Sequence, residues 1–475
     1  MRPRSYLPQL SGTEEETRIG YARYAEDRLV DLRPFDHPEL EQLNELIHDH
    51  CEPLILDAPT SIFFRENGSK TYVDTGGVEL ATPEVNNPAD QAVYIKANAM
   101  LLEKALADFL KLKSRRHGED VTAVFQRRTI DSRGNTWACH DNYSVDSSVG
   151  YKRMVSDQLQ PISRLWLGFI TSRNFITGAM RVGPDKVEFS QKLSQPHKFN
   201  EYSYDNSILR VDVNDGQRLE LRCNDINLQD WATVCRIGGG AMFLAATMTP
   251  IIANKLLNSM HYAMPWPRND AWNDIPLNQN LELTLSRQLK QNIAVQRFTF
   301  QTILNDYEAA TGQPMPRIYL EIGKTILDYC DEVEAIANGY GDIYQLADRV
   351  DWATKLYTIR RDIRRNPKRR LNDARSIYLD LLYDQIKITA TPKGKLSTSH
   401  GYGHKAANKT SFYSNRPHLL ERAMRFPPAK SRGAARLAYA RRYGNKLVDC
   451  DWSSIQLQDG SNIRTINLSP DLADT

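Results

Sequence analysis

No stretch of this 475-residue chain reaches the ~18 consecutive apolar residues a membrane span needs, and Met1 to Leu10 holds two arginines but no apolar core of a secretory signal. A cytoplasmic protein with no membrane partner is therefore expected. The six cysteines (Cys51, Cys139, Cys223, Cys235, Cys330 and Cys450) include no C-x-x-C pair. That argues against a disulfide frame or a thiolate zinc site and leaves reduced packing residues. The 61 basic and 58 acidic side chains nearly cancel, to a net +3, so no global field draws the chain to nucleic acid, and none is expected as a partner. Gly238-Gly239-Gly240 lacks the Lys-Ser/Thr of a P-loop and reads as close packing or a turn before a helix. His400 and His404 stand four apart in a glycine-rich stretch with no helix to fix them, a poor metal pair. There is no internal repeat.

Acidic residues in strand-like patterns are what the chain does have. In Gly12-Thr13-Glu14-Glu15-Glu16 an extended backbone projects Glu14 and Glu16 to one face, and in Tyr72-Val73-Asp74 it does the same for Tyr72 and Asp74. Glu79 and Glu84 follow. Carboxylates massed on one face repel each other unless a cation compensates them, and hard oxygen donors of this kind suit Mg2+ with nucleotide phosphates completing its shell. Taken singly, each is also compatible with a solvated surface carboxylate.

Length allows two or three units, or one large catalytic domain with an appendage. Asp36 to His50 reads as a polar helix. Ser61 to Phe64 and Thr71 to Val73 read as a hairpin around Asn67-Gly68 that delivers Asp74. Gln91 to Lys113 carries Leu102, Leu106, Phe109 and Leu110 at helical spacing. Val121 to Phe125, Trp137 to Val145, Lys186 to Ser190 and Arg218 to Leu221 read as short strands. From Leu281 the pattern turns helical, over Leu281 to Tyr307, Ile318 to Ala337 and Ile343 to Arg365. Strands in the first half and helices in the second predict an α+β fold, an antiparallel sheet backed by helices. Thr391 to Ser411 reads as a flexible loop. Leu420 to Met424 and Arg432 to Tyr443 follow as helices, and Ser454 to Leu457 with Ile463 to Ile466 as a hairpin around Asp459-Gly460. The expected division is 1–410 for a catalytic domain and 411–475 for a small C-terminal domain.

Several motifs occur together and in order: Gly12-x-Glu14-x-Glu16; Asn67-Gly68-x-x-x-Tyr72-Val73-Asp74; Glu79-x-Ala81-Thr82-Pro83-Glu84; Asp131-Ser132-x-Gly134-Asn135-x-x-x-Cys139-His140-Asp141-Asn142-Tyr143. Arg218-Leu219, Asn224-Asp225-x-Asn227, Val350-Asp351-Trp352-x-x-Lys355-Leu356, Leu379-Asp380-Leu381-x-Tyr383, Pro427-Pro428-x-x-x-Arg432 and Asp451-Trp452 continue the series. Over nearly the whole chain this resembles the Pup ligase and depupylase family, whose catalytic sheet is similar to that of glutamine synthetase. The resemblance implies a curved antiparallel sheet backed by helices, with the C-terminal domain closing over a nucleotide. It implies an ATP- and Mg2+-dependent ligase that joins the C-terminal glutamate side chain of a small acidic Pup-like modifier to lysines of target proteins through a glutamyl phosphate.

Carried over residue by residue, the resemblance makes Asp74 the catalytic aspartate, a base for the incoming lysine ammonium. It makes Glu14, Tyr72 and Glu79 metal ligands, with Glu16, Glu84 and His140 in the same site. Lys70, where an arginine is usual, Thr82 and Trp452 fall on nucleotide positions. Arg218, Arg364 and Arg365 are assigned to the modifier. The last two belong to the densest basic run, Arg360, Arg361, Arg364, Arg365, Lys368, Arg369 and Arg370, either a solvated helix end or a docking strip for an acidic chain. By residue type alone Tyr72 and Trp452 also fit buried packing, and His140 a satisfied core histidine.

The pattern departs from the family in places. Gly77-Val78 stands where His-Pro is usual before Glu79, Glu220 where a histidine is expected, and Asp141 where a glutamate is; the Ser207 to Gly216 loop is short. Spacing from Gly20 to Asn67, Cys139 before His140 and the Asp451-Trp452 pattern look like ligases, whereas the five-residue step from Asp74 to Glu79 is closer to depupylases. The alternatives are a deamidase or depupylase, which hydrolyses the modifier's C-terminal glutamine or the isopeptide bond, and a non-catalytic regulator that binds modifier or nucleotide.

Overall fold

A computed structural model describes residues 7–8, 10–26, 28–55, 63–74, 76–130, 136–137, 139–145, 161–193, 209–211, 218–259, 274–276, 281–410, 416–429 and 431–468. Asp131 to Asn135 and most of the Ser207 to Gly216 loop lie outside them. The chain forms two compact units. One, rich in strands, is built from Gln9–Arg127, Asp384–Gly401 and Phe412–Thr475; the other, mostly helical, from Met1–Pro8, Arg128–Tyr383 and Tyr402–Ser411. The chain last passes between them after Ser411, and Phe412–Thr475 clusters with the N-terminal strands and not alone.

In the strand-rich unit β1 (Ser11–Ala25) alternates between two environments. Thr13, Glu15, Thr17, Ile19 and Tyr21 are buried, while Glu14, Glu16 and Arg18 are half-buried on the opposite face. β2 (Arg28–Pro34) pairs antiparallel with its second half. β3 (Phe63–Phe64), β4 (Lys70–Asp74) and β5 (Gly77–Ala81) form an antiparallel meander, with β5 on β1. β6 (Asp120–Gln126) also pairs antiparallel with β1, and strands Gln385–Ala390 and Leu396–His400 extend the sheet beyond it.

Two helices cover the buried face. α1 (His37–Leu46) starts at a capping box in which Asp36 and Glu39 each accept from the other's backbone N–H. α2 (Pro88–His117) starts at Asn87 and stops at Gly118, whose φ of +69° allows the left-handed cap. Leu101, Leu102, Ala105, Leu106, Phe109 and Leu110 of α2 form one core with Leu40, Leu43, Val121, Ala123, Ile386 and Ile388. In the C-terminal part, helices Pro417–Arg425 and Arg432–Tyr443 precede the antiparallel strands Leu447–Cys450, Ser454–Asp459 and Asn462–Asn467, which have a small core of Leu447, Ile455, Leu457 and Leu468.

In the helical unit β7 (Cys139–Ser144) pairs with strand Arg218–Leu221. Helix Asp230–Met248 is buried at every residue, among Pro161–Ser172, Leu281–Thr311 and Arg317–Ala337. The three glycines lie inside that helix, not before it. They serve close packing: a Cβ on Gly240 would stand 2.3 Å from Tyr143 Oη and one on Gly239 3.2 Å from Phe300.

The α+β class and antiparallel pairing are as expected; three local readings are corrected. Thr391 to Ser411 is not one loop, since it holds strand Leu396–His400 and helix Tyr402–Thr410. His400 reaches Glu103, 3.1 Å away. Ile343 to Arg365 is a 3-10 turn (Ile343–Leu346) and a separate helix (Asp351–Arg365). The helix begins at Asp351 after Val350, which is extended, and the buried Asp351 carboxylate accepts from Leu228 N at 2.9 Å and Tyr383 Oη at 2.6 Å. The first half also contains helices, Pro161–Ser172 and Asp230–Met248, and the second is buried all round, so it shows no polar stripe to read.

Glu39 links α1 to the end of β2 and to α2, accepting from Arg33 at 2.6 Å and Lys113 at 3.1 Å. Burial alone would raise its carboxyl; the hydrogen bonds from Arg33, Lys113 and the Asp36 backbone outweigh that and hold it down to about 2. A depressed folded-state value means that the unfolded chain binds the extra proton, so this contribution is complete above about pH 4.5 and is lost as the pH falls towards 2. The unfolding temperature of Glu39→Gln should therefore fall less between pH 5 and pH 3 than that of the wild type, measured by circular dichroism.

Candidate active site

Paired register turns the acidic pattern into a grid. On the face of the strand-rich unit away from α2, Glu14 lies opposite Ala81 and Ala81 opposite Lys70; one row further, Glu16 lies opposite Glu79 and Glu79 opposite Tyr72. Directly paired residues share a face, so each row crosses β1, β5 and β4. Asp74 follows two residues after Tyr72, opposite Gly77. Glu16, Asp74 and Glu79 each offer a carboxylate oxygen, all within 4.8 Å of one another. The Tyr72 hydroxyl, bonded to Glu79, is pushed far up, first by burial and then by the charges of Glu14, Glu79 and Asp74. Negative potential is thus concentrated at one point of the sheet. A hard, all-oxygen donor set of this kind fits Mg2+.

The opposite face of β1 explains why the strand sits as it does. Glu15, one residue out of phase with its neighbours, is buried and paired with Arg127 at 2.9 Å. Gln91 of α2 donates to Thr13 Oγ1 at 2.6 Å and accepts from Ser11 Oγ at 2.7 Å. Thr82 Oγ1 accepts from Thr13 N at 2.9 Å, so this expected nucleotide residue clamps the start of β1 from the end of β5. Buried Arg65 holds β4 from behind, donating to Thr71 Oγ1 at 2.8 Å and to the carbonyls of Cys51 and Asn44.

At the Lys70 end three rings gather. Lys70 Nζ lies 5.2 Å from the Phe64 centroid, 5.6 Å from Tyr72 and 5.8 Å from Trp452, and Trp452 meets Phe64 edge-on at 5.0 Å. The Arg436 guanidinium lies over the same two rings, 4.6 Å from Phe64 and 5.3 Å from Trp452. It donates to the Trp452 carbonyl at 2.9 Å and pairs with Glu84 at 2.6 Å. Glu84, expected among the metal ligands, therefore holds Arg436 and is not in the carboxylate cluster. Arg436 and Phe64 were not foreseen. Arg436 gives no sign in the sequence, being one of several arginines on a helix; Phe64 was visible only as a strand residue.

The other expected residues lie in the helical unit. His140 of β7 has neighbours at both ring nitrogens, Glu220 Oε1 3.0 Å from Nδ1 and Arg222 Nε 3.3 Å from Nε2. Burial would raise the Glu220 carboxyl, but His140, Arg222 and Arg218 hold it low. Arg218 is half-buried, 3.9 Å from Glu220. Arg364 and Arg365 are exposed in the last turn of helix Asp351–Arg365. Among the described residues no single helix is long and apolar enough to cross a membrane.

The sequence model of the family described as Pup-ligase protein matches residues 7–207 and 209–456. A Pup–protein ligase of Acidimicrobium ferrooxidans is 25% identical over 433 residues, covering 87% of this chain and 87% of that one. One of Bifidobacterium dentium is 23% identical over 450 residues, covering 88% and 85%. Among solved structures, the complex of the prokaryotic ubiquitin-like protein Pup with its ligase PafA is similar with a TM-score of 0.68 at 17% identity, over 98% of this chain and 90% of that one. PafA in complex with ADP gives 0.62 at 16% identity, over 87% of each chain.

Removing one partner of a buried ion pair leaves the other charged and desolvated, at a cost of about 3–5 kcal/mol. Glu84→Ala should lower unfolding free energy by about 3 kcal/mol in urea titration, and Arg436→Met in that background should recover part of it. Equal stability of Glu84→Ala and wild type would show that Arg436 needs no counter-charge.

Proposed function

Because this chain belongs to the Pup-ligase family, we propose that it is an ATP-dependent ligase that joins the C-terminal glutamate side chain of a Pup-like modifier to lysines of target proteins. One observation carries the reading: the two rows across β1, β5 and β4, followed by Asp74, put a cation with aromatic rings at one end and an oxygen-donor cluster that includes the Asp74 carboxylate at the other. Lys70 and Asp74 are four residues apart on one strand, roughly 13 Å.

A carboxylate does not condense with an amine at neutral pH and has to be activated as an acyl phosphate. In the first step a glutamate oxygen of the modifier attacks the γ-phosphorus of ATP in line, its bond to the β-γ bridging oxygen breaks, and ADP leaves. In the second the lysine nitrogen attacks the acyl carbon, phosphate leaves with its bridging oxygen, and an isopeptide amide remains. Only a neutral amine attacks, and Asp74, exposed at the end of β4, takes the proton of the arriving ammonium. Trp452 and Phe64 offer aromatic surface to the nucleotide base. Lys70 faces the phosphates as a point charge, without the bidentate fork of an arginine. Thr82 keeps β1 in place against β5. Glu14, Glu16, Tyr72 and Glu79 would hold Mg2+, which when bound neutralises phosphate charge. Tyr72 as a neutral phenol donates to Glu79 and orients it. Arg218, Arg364 and Arg365 are assigned to acidic groups of the modifier.

The test is incubation of the full chain with ATP, Mg2+, Pup ending in glutamate and a lysine-bearing protein. The expected product has the summed mass less one water, with one ADP per conjugate, and Asp74→Asn should slow it by about 100-fold or more. Release of ammonia from Pup ending in glutamine, or of free Pup from conjugates, without stoichiometric ADP would replace the ligase with a hydrolase.

Arg364 and Arg365 generate a separate expectation. If they dock the acidic modifier, the affinity for Pup of the Arg364→Ala/Arg365→Ala variant should fall less steeply with salt between 50 and 300 mM than that of the wild type. Identical salt slopes would return this helix end to solvent.

A further inference from the structure

Arg18 follows Glu14 and Glu16 on the open face of β1, and none of the roles above uses it. β1 pairs with β5 as far as Thr17 opposite Val78. One more step along this register puts Arg18 beside Gly77, and Gly77 is paired with Asp74. A third row thus has a guanidinium on one strand, a carboxylate two strands away and no side chain between them. The Arg18 side chain runs over the turn that links β4 to β5: a Cβ on Gly77 would stand 3.4 Å from its Cδ, and one on Gly76 2.6 Å from its Nη1. Gly76 has φ of +85°, which disfavours any other residue there. The two glycines form a cradle for the arginine.

Charge makes the position chemically meaningful. Glu14, Glu16, Asp74 and Glu79 repel any anion that approaches the Asp74 end, and the group to be activated is itself a carboxylate. Lys70 lies two rows away. An arginine presents a rigid pair of N–H donors that matches a carboxylate in bidentate fashion. The His-Pro expected before Glu79 is Gly77-Val78 here, and Arg18, reaching across from β1, lays its Cδ where a side chain at 77 would stand and its guanidinium beside Gly76.

We propose that Arg18 holds the carboxylate that is activated, the side chain of the modifier's terminal glutamate, next to Asp74. This assignment rests on the ligase reading for its substrate. It makes Arg18 the residue that distinguishes glutamate from glutamine at the modifier's end, since the two differ only in the group that the guanidinium grips.

Isothermal titration calorimetry with ADP and Mg2+ present tests it, using Pup prepared with a C-terminal glutamate and Pup prepared with a C-terminal glutamine. Wild type should bind the glutamate form at least 10-fold more tightly. Arg18→Gln should abolish that preference by weakening the glutamate form alone, Arg18→Lys should keep part of it, and ADP affinity should stay within 2-fold in both. Gly76→Val, which fills the cradle and leaves Arg18 in the chain, should lose the preference as well and serves if Arg18→Gln fails to fold. A preference that survives these changes, or a wild type with none or with one for glutamine, overturns the assignment. A wild type with an Arg18-dependent preference that forms no conjugate with ATP keeps the assignment and refutes the ligase.

Discussion

A slip of one residue between β1 and β5 would turn Glu14 and Glu16 towards α2 and bring Glu15 to the open face, because side chains alternate strictly along a strand. The register that sets Glu16 opposite Glu79, and Glu79 opposite Tyr72, is therefore the constraint on which the site depends. It is enforced from the covered side. Glu15 is paired with Arg127, Thr13 is bonded to Gln91 and to Thr82, and Thr71 is bonded to Arg65. Each of these groups is buried, so a slipped strand would leave polar atoms without partners in a place water does not reach. The stability of the rear face thus sets the chemistry of the front one.

The front face tolerates charges that repel one another, and that is informative. Four carboxylates and a phenol that burial and their charge keep protonated stand on three adjacent strands. Nothing in folding requires that arrangement; the divalent ion and phosphates proposed for this site would give it a purpose. Cations of the protein are kept to the ends, Lys70 and Arg436 against the aromatic rings and Arg18 over the glycine turn.

Much of this was legible because it is local. Alternation made Glu14 and Glu16 one face and Tyr72 and Asp74 another, and the Asn67-Gly68 turn placed the second beside the strands that follow; β3 and β4 pair as that reading requires. Helix Arg432–Tyr443 has the bounds read from its pattern. Long-range partners were not legible. Nothing near Glu84 in sequence shows that Arg436 will take its carboxylate, 352 residues away, and nothing near Arg18 shows that Gly76 and Gly77 will make room for it. Helix Asp230–Met248 escaped for the opposite reason: burial on every side erases the periodicity by which helices are recognised.

The central claim is that the side chains of Glu14, Glu16, Tyr72 and Glu79 converge on one divalent ion beside a nucleotide, and Mn2+ binding reads it most directly. Electron paramagnetic resonance of the full chain with ADP should show one bound Mn2+. Its affinity should fall by at least 10-fold in Glu79→Gln, and stay within 2-fold in Glu45→Gln, an exposed carboxylate of α1. Mn2+ binding that is unchanged by Glu79→Gln would contradict the account, because the ion would then lie away from the row that joins β1, β5 and β4.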